Sequence, residues 1–188
     1  MFSKSQRGFT LIEIIIVIVI LSIVSAITIK FLADSLRVYT MTVNQKTLLD
    51  EGKLALERMC RDIRDARIIT APAAGGSGST ITFLRGNSTT QDVADESITF
   101  QLTGSTLEKV KSSPSVTSAM ASYVTTFSVT RGQVATSDEN EITIQLNLSL
   151  VGSGEHVNLQ TRVYPKNLLF DNQATYKNFF YCWEELRS

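Results

Sequence analysis

The sequence predicts an α+β fold in which one long N-terminal helix, transmembrane in its first half and amphipathic in its second, packs on an antiparallel β-sheet. Three observations predict it. Phe9 to Ile29 is almost wholly apolar. Lys30 to Ile69 keeps an apolar spacing of three and four and contains no proline. From Thr80 onward, apolar residues recur by two. The 188 residues are enough for one ordinary domain plus an appendage.

The first element is the segment 9–29. Its 21 residues are Ile, Leu, Val, Phe or Ala except Thr10, Glu13, Ser22, Ser25 and Thr28, and only Glu13 is charged. As a helix it is about 31 Å long at ~1.5 Å per residue, which matches a bilayer core. Lys4 and Arg7 precede it with no acid between, which keeps the N-terminus cytoplasmic and sends the remainder outward. An ordinary secretory signal has a shorter apolar core followed by a small-residue cleavage site. Ser22-Ile23-Val24-Ser25-Ala26 imitates such a site, but the apolar run continues to Leu32 and Glu13 has no place in a signal.

The second element, 30–70, continues the helix. Leu49, Gly52, Leu56, Met59, Ile63 and Ala66 form one apolar face. Glu57, Arg58, Arg61, Asp62, Arg64 and Asp65 read as a solvated, salt-bridged face. Residues 9–51 hold neither proline nor glycine, so one uninterrupted helix is expected, ending near Ile69 before Ala71-Pro72 and Gly75-Gly76-Ser77-Gly78.

The third element, 71–188, is β-rich. Thr80–Leu84, Ser97–Leu102, Tyr123–Thr130, Glu141–Leu150 and Val157–Val163 alternate with β-branched and aromatic residues, as half-buried antiparallel strands do. Gly104-Ser105 predicts a hairpin into Thr106–Lys111, and Gly152-Ser153-Gly154 a second one. The apolar faces of these strands need a cover, which the amphipathic half of the helix supplies.

Composition excludes several functions. Lys plus Arg equals Asp plus Glu at 18 each, so nothing marks a chain built to hold nucleic acid. His156 is the single histidine, and Cys60 and Cys182 are too far apart for a CxxC pair, a haem attachment or a zinc cluster. There is no GxSxG, Walker loop, HExxH or GxGxxG. Asp138-Glu139-Asn140-Glu141 lacks EF-hand spacing and reads as a solvated loop rather than a calcium site. No catalytic residue, metal ligand or cofactor is predicted.

Arg7-Gly8-Phe9-Thr10-Leu11-Ile12-Glu13 resembles the processing signature of type IV prepilins and type II secretion pseudopilins. The resemblance covers about thirty residues. It implies a cleaved leader, 1–8, with Lys4 and Arg7 as its basic residues, cut by prepilin peptidase between Gly8 and Phe9. It also implies methylation of the new Phe9 amine. Gly8 has no side chain to obstruct a peptidase. Glu13 is implied as an assembly charge that pairs with a neighbouring subunit's N-terminal amine, since a charge in lipid needs a partner; the alternative places it among headgroups. Cleavage removes two positive charges and leaves 16 basic against 18 acidic residues, a formal −2.

The implied partners are prepilin peptidase, other pilin or pseudopilin subunits, an inner-membrane assembly platform and the lipid bilayer, with no nucleic acid. The implied location is a single pass through the inner membrane with a periplasmic or extracellular domain, then a pilus or pseudopilus. The stretches "RMCRDIRDAR", "SITFQLTGSTLEK", "YVTTFSVTRG" and Val163-Tyr164-Pro165-Lys166-Asn167-Leu168 are similar to the minor pseudopilin J and minor pilin W group, which implies a structural initiator or tip-proximal subunit. The alternatives are a fibre-displayed module recognising a surface, a secreted substrate or DNA, and a membrane-anchored enzyme. Outside the cytoplasm Cys60 and Cys182 can form a disulfide, closing a loop of about 120 residues that the chain-entropy account values at about 4–5 kcal/mol; two buried thiols are the alternative. The aromatic tail Tyr176–Trp183 reads as core rather than as a binding patch.

Overall fold

A computed structural model describes residues 9–90, 92–132, 141–150, 152, 154–166 and 184–185. Several sequence expectations lie outside the described residues: Lys4, Arg7 and Gly8, Asp138 to Asn140, Ser153, Asn167 and Leu168, Tyr176–Trp183, and Cys182.

The chain folds as α+β, with one helix, α1 (Leu11–Arg64), followed by antiparallel strands. These are β1 (Ala66–Ala71), β2 (Ser77–Gly78), β3 (Thr80–Arg85), β4 (Ser97–Thr103), β5 (Thr106–Ser112), β6 (Ser115–Ala121), β7 (Val124–Arg131), β8 (Ile142–Ser149), β9 (His156–Val163) and β10 (Glu184–Glu185). The chain divides into two compact units, residues 1–43 and 44–188.

Within the first unit α1 is uninterrupted and uncovered. Every described side chain from Phe9 to Val38 is exposed. The hydroxyls in this stretch satisfy themselves: Ser25, Thr28 and Ser35 donate to the carbonyls of Leu21, Val24 and Phe31, four residues back. Such back-bonding hides a polar group that would otherwise be orphaned in lipid. The helix is long and apolar enough to cross a membrane.

Within the second unit the C-terminal part of α1 buries Leu48, Gly52, Ala55, Leu56, Met59, Cys60 and Ile63. Predicted Leu49 is half-buried beside them. At Gly52 the helix lies close against the strands. A Cβ placed there would lie 2.5 Å from Leu159 Cδ1 and 2.9 Å from Leu148 Cδ1, so a larger residue collides with β8 and β9.

The helix stops at Arg64, not near Ile69; residues 66–71 are strand β1. Tertiary bonds end it rather than a glycine cap. The Lys166 N–H donates to the Arg64 carbonyl at 2.8 Å, and the Gly86 N–H to the Asp65 carbonyl at 2.7 Å. These satisfy carbonyls that a helix end leaves open.

The strands form two five-stranded sheets rather than one continuous sheet, in the orders β1-β3-β4-β5-β6 and β10-β9-β8-β7-β2. All pairings are antiparallel. Inward residues of both sheets, including Ile81, Phe83, Ile98, Phe100, Ile144 and Leu146, join the helix residues in one core. The β4–β5 hairpin turns at Gly104-Ser105 as predicted, with φ 62° at Gly104, the first turn position where a type II′ turn places glycine. The β8–β9 hairpin also pairs in register, from Ile142 opposite Val163 to Ser149 opposite His156.

Candidate functional site

The described part of the N-terminal site begins at Phe9, which is exposed. Thr10 caps α1. Its carbonyl accepts the Glu13 N–H at 3.1 Å, and its Oγ1 accepts the same N–H at 3.3 Å. Thr10-Leu11-Ile12-Glu13 therefore has the spacing of a capping box, with the acid in the first turn where the helix dipole favours it. Glu13 is exposed on this turn, four residues after Phe9, and is the only charge before Lys30 in the described helix.

The remaining sequence candidates lie in the second unit. Cys60 is buried in the core, its Sγ 3.6 Å from Thr161 Oγ1; its proposed bonding partner Cys182 is outside the described residues. Glu141 accepts the Tyr164 hydroxyl at 2.7 Å and lies 3.2 Å from Arg162 Nε, so its carboxylate has protein partners. His156 opens β9 on the exposed side.

A second locus escaped the sequence reading. Asp62 and Asp65, expected on a solvated face, are largely buried around Arg85, whose side chain is 6% exposed. Arg85 Nη1 contacts Asp62 Oδ1 at 3.1 Å and Asp92 Oδ2 at 2.7 Å, while its Nε lies 3.2 Å from Asp65 Oδ2 and donates to the Asn87 carbonyl at 2.9 Å. Lys109 Nζ bridges Asp62 Oδ2 and Asp92 Oδ2 at 2.9 and 3.0 Å. Lys111 Nζ reaches Asp92 Oδ1 at 2.7 Å and Glu96 Oε2 at 3.9 Å.

The network ties the end of α1 to β3, β5 and the 86–96 loop. Two acids at a helix C-terminus oppose the dipole, and the buried cations supply the compensation. Burial is the largest influence on the Asp92 carboxyl and pushes its pKa up. The hydrogen bonds and charges of Lys111 and Lys109 outweigh it and hold the group below the ordinary carboxylate value. The same contact with Asp92 raises the Lys111 ammonium, against a smaller opposing effect of burial.

Above this network lies a groove of about 750 Å³ whose lining includes Arg58, Arg61, Asp92, Lys109, Val116 and Met120. The network beneath it sets three cations against four acids. Arg58 and Arg61 beside it are exposed, and among the described residues Arg61 has a loose contact with Glu57 at 3.8 Å. Among the described residues no group of three or more His, Cys, Asp or Glu could hold a metal ion.

In comparison with known proteins, residues 3–29 match the family described as the prokaryotic N-terminal methylation motif. That stretch contains Gly8, Phe9 and Glu13 and ends at the last residue of the predicted transmembrane segment. The match supports the type IV pilin and pseudopilin family. No curated protein and no solved structure matches the chain.

Proposed function

We propose that this chain, which carries the prokaryotic N-terminal methylation motif at the head of an uncovered apolar helix, is a prepilin-type precursor that becomes a minor structural subunit of a type IV pilus or a type II secretion pseudopilus. Prepilin peptidase cuts between Gly8 and Phe9 and the new Phe9 amine is methylated. The leader with Lys4 and Arg7 is lost, while the apolar helix remains as a membrane anchor and then as the packing element of the fibre.

The observation that carries this reading is the coincidence of the motif with a helix no part of which is buried across the candidate span. A bare apolar surface of that length is not stable in water; it is covered by lipid before assembly and by neighbouring helices after it. Cleavage places a cationic amine at Phe9, one helical turn from Glu13. In a stack of such helices the Glu13 carboxylate pairs with the amine of an adjacent subunit and sets the axial register, because an unpaired charge there is costly. The exposed side chain of Glu13 leaves it available for this contact. An assembly platform in the inner membrane and other pilin-type subunits are the partners, with the β-rich domain on the outer side.

The test is intact mass and N-terminal sequencing of membrane-extracted protein from cells with and without prepilin peptidase. The expected product starts at Phe9, carries one additional methyl group and depends on the enzyme. A chain starting after Ala26, or one still starting at Met1 in the presence of the enzyme, contradicts the proposal.

A further inference from the structure

Among the described residues the two sheets have four outer edges, and three of them are blunted. β2 is two residues long, and β10 has two described residues. β1 is broken by register shifts between Ala66 and Ile68 and between Ile69 and Ala71, and carries Arg67. Short strands, bulges and charged side chains are the usual means by which proteins keep a sheet edge from pairing with another chain.

β6 is neither short nor charged. It runs seven residues, Ser115-Val116-Thr117-Ser118-Ala119-Met120-Ala121, with no charge and no proline. It pairs in unbroken register from Ser115 opposite Ser112 to Ala119 opposite Glu108, and its single irregularity lies at its far end. On its other side it has no strand neighbour among the described residues. Ser115 to Ala119 are all exposed. Such an edge offers a row of unused N–H and C=O groups to an incoming strand.

The surroundings state which strand would fit. Val116 and Ser118 sit opposite Lys111 and Lys109, so they share their sheet face with those lysines and with the charged groove. A strand added beside β6 directs alternate side chains to that same face. There it meets the rim, where Arg58 and Arg61 stand one helical turn apart and where, among the described residues, Glu57 is the acid that pairs with Arg61. The network acids Asp62 and Asp92 are already held by Arg85, Lys109 and Lys111 and do not repel an approaching carboxylate as free acids would.

We propose that β6 is a docking edge that takes an added strand from a partner protein, an extended segment with carboxylates at alternate positions that meet Arg58 and Arg61. Main-chain bonds to β6 supply the affinity and the two arginines supply the selection. The inference does not depend on N-terminal processing, and it can fail while the prepilin reading stands.

The test uses the full chain in detergent micelles and a fluorescein-labelled nine-residue peptide of alternating Thr and Glu, with an alternating Thr and Lys peptide as control. Binding is read by anisotropy, and the contact by amide hydrogen exchange of residues 115–121. The expected result is saturable binding of the Glu peptide over the Lys peptide, with slowed exchange confined to β6 and the rim. The double variant R58E/R61E, on exposed positions that leave the core intact, weakens the Glu peptide about five-fold, as expected for two exposed ion pairs. Equal binding of both peptides, or binding without protection of 115–121, overturns the proposal. Protection of 115–121 that appears without peptide and grows with protein concentration also overturns it, because a second copy is then the occupant.

Discussion

Arg85 is held by Asp62, Asp65 and Asp92 where its side chain is only 6% exposed, and the consequence of removing it follows from that arrangement. Arg85→Met leaves Asp62, Asp65, Asp92 and Glu96, all largely buried, with two lysines. Breaking a buried pair from one side is expected to destabilise the domain by about 3–5 kcal/mol. Arg85→Lys should lose less, since a single ammonium keeps the charge but not the fork that reaches two carboxylates through Nη1 and a third through Nε. Urea unfolding of the full chain in micelles, followed by a signal from the β-rich domain, ranks the two variants; equal loss would mean that geometry contributes nothing. Asp92 gives this network its pH dependence. Its carboxyl is held below the ordinary value near 3.8, so the stabilisation is complete above that value and is lost as pH falls through the lowered folded-state pKa. The raised Lys111 acts at the opposite limit, stabilising below its ordinary value near 10.5 and losing that contribution as pH rises past the folded-state pKa. Asp92→Asn should therefore lower stability at neutral pH and flatten the acid limb of stability against pH. An acid limb of unchanged slope in the variant would place the titration in other carboxylates.

At the scale of the elements, Gly52 connects the helix sequence to the sheet beneath it. Alanine in mid-helix is favoured over glycine by about 1 kcal/mol. At this position an added Cβ also meets the methyl ends of Leu148 and Leu159, both buried. Overpacking costs about 1–3 kcal/mol, so Gly52→Ala is expected to come out near balance. Gly52→Val, which is larger and loses rotamer freedom in a helix, should destabilise by about 2–3 kcal/mol. Thermal unfolding of both variants checks this, and a stabilised valine variant would show that the helix can lift off β8 and β9 at little cost. The same elements show what a sequence can and cannot disclose. β3, β4, β7, β8 and β9 were legible because each buries residues of one face, and burial of one face imposes alternation; β5, in which only Leu107 is buried, was legible from the Gly104-Ser105 turn that precedes it. β6 was not, because Ser115 to Ala119 are exposed on both faces and nothing selects a pattern there. β1 was read as helix because Ala66 continues the helical apolar spacing, while the bonds that stop the helix come from Lys166 and Gly86, remote in sequence. At the N-terminus the motif is contiguous and could be read directly. The Arg85 network could not, since its members run from Asp62 to Lys111, four acids and three cations with no local spacing.

At the scale of the whole molecule, the segment 9–29 must be apolar enough to hold the chain in a membrane despite Glu13, and the margin can be estimated. Its fifteen Ile, Leu, Val and Phe residues each contribute about −0.3 to −0.6 kcal/mol at the centre of a span and less toward the ends. The total is therefore at most about −4.5 to −9 kcal/mol; the part that Glu13 offsets is small near the end of the span, and the middle of that range exceeds the ~2.5–3.5 kcal/mol that one central arginine costs. Val19→Arg, at the midpoint, should leave the protein in the membrane pellet after alkaline carbonate extraction. Val19→Arg combined with Ile16→Arg roughly doubles the penalty, removes two apolar contributions and exhausts most of the margin, so a large fraction of that variant should be released. Both substitutions lie in the first unit and not in the second, so retained folding of residues 44–188 can be verified independently by amide exchange. The pattern separates two ways of being held. If one arginine already releases the chain, the segment has far less hold on lipid than its composition provides and the anchor reading fails. If the double variant remains in the pellet, something other than the apolar segment retains the protein, and packing against other subunits becomes the contact to measure.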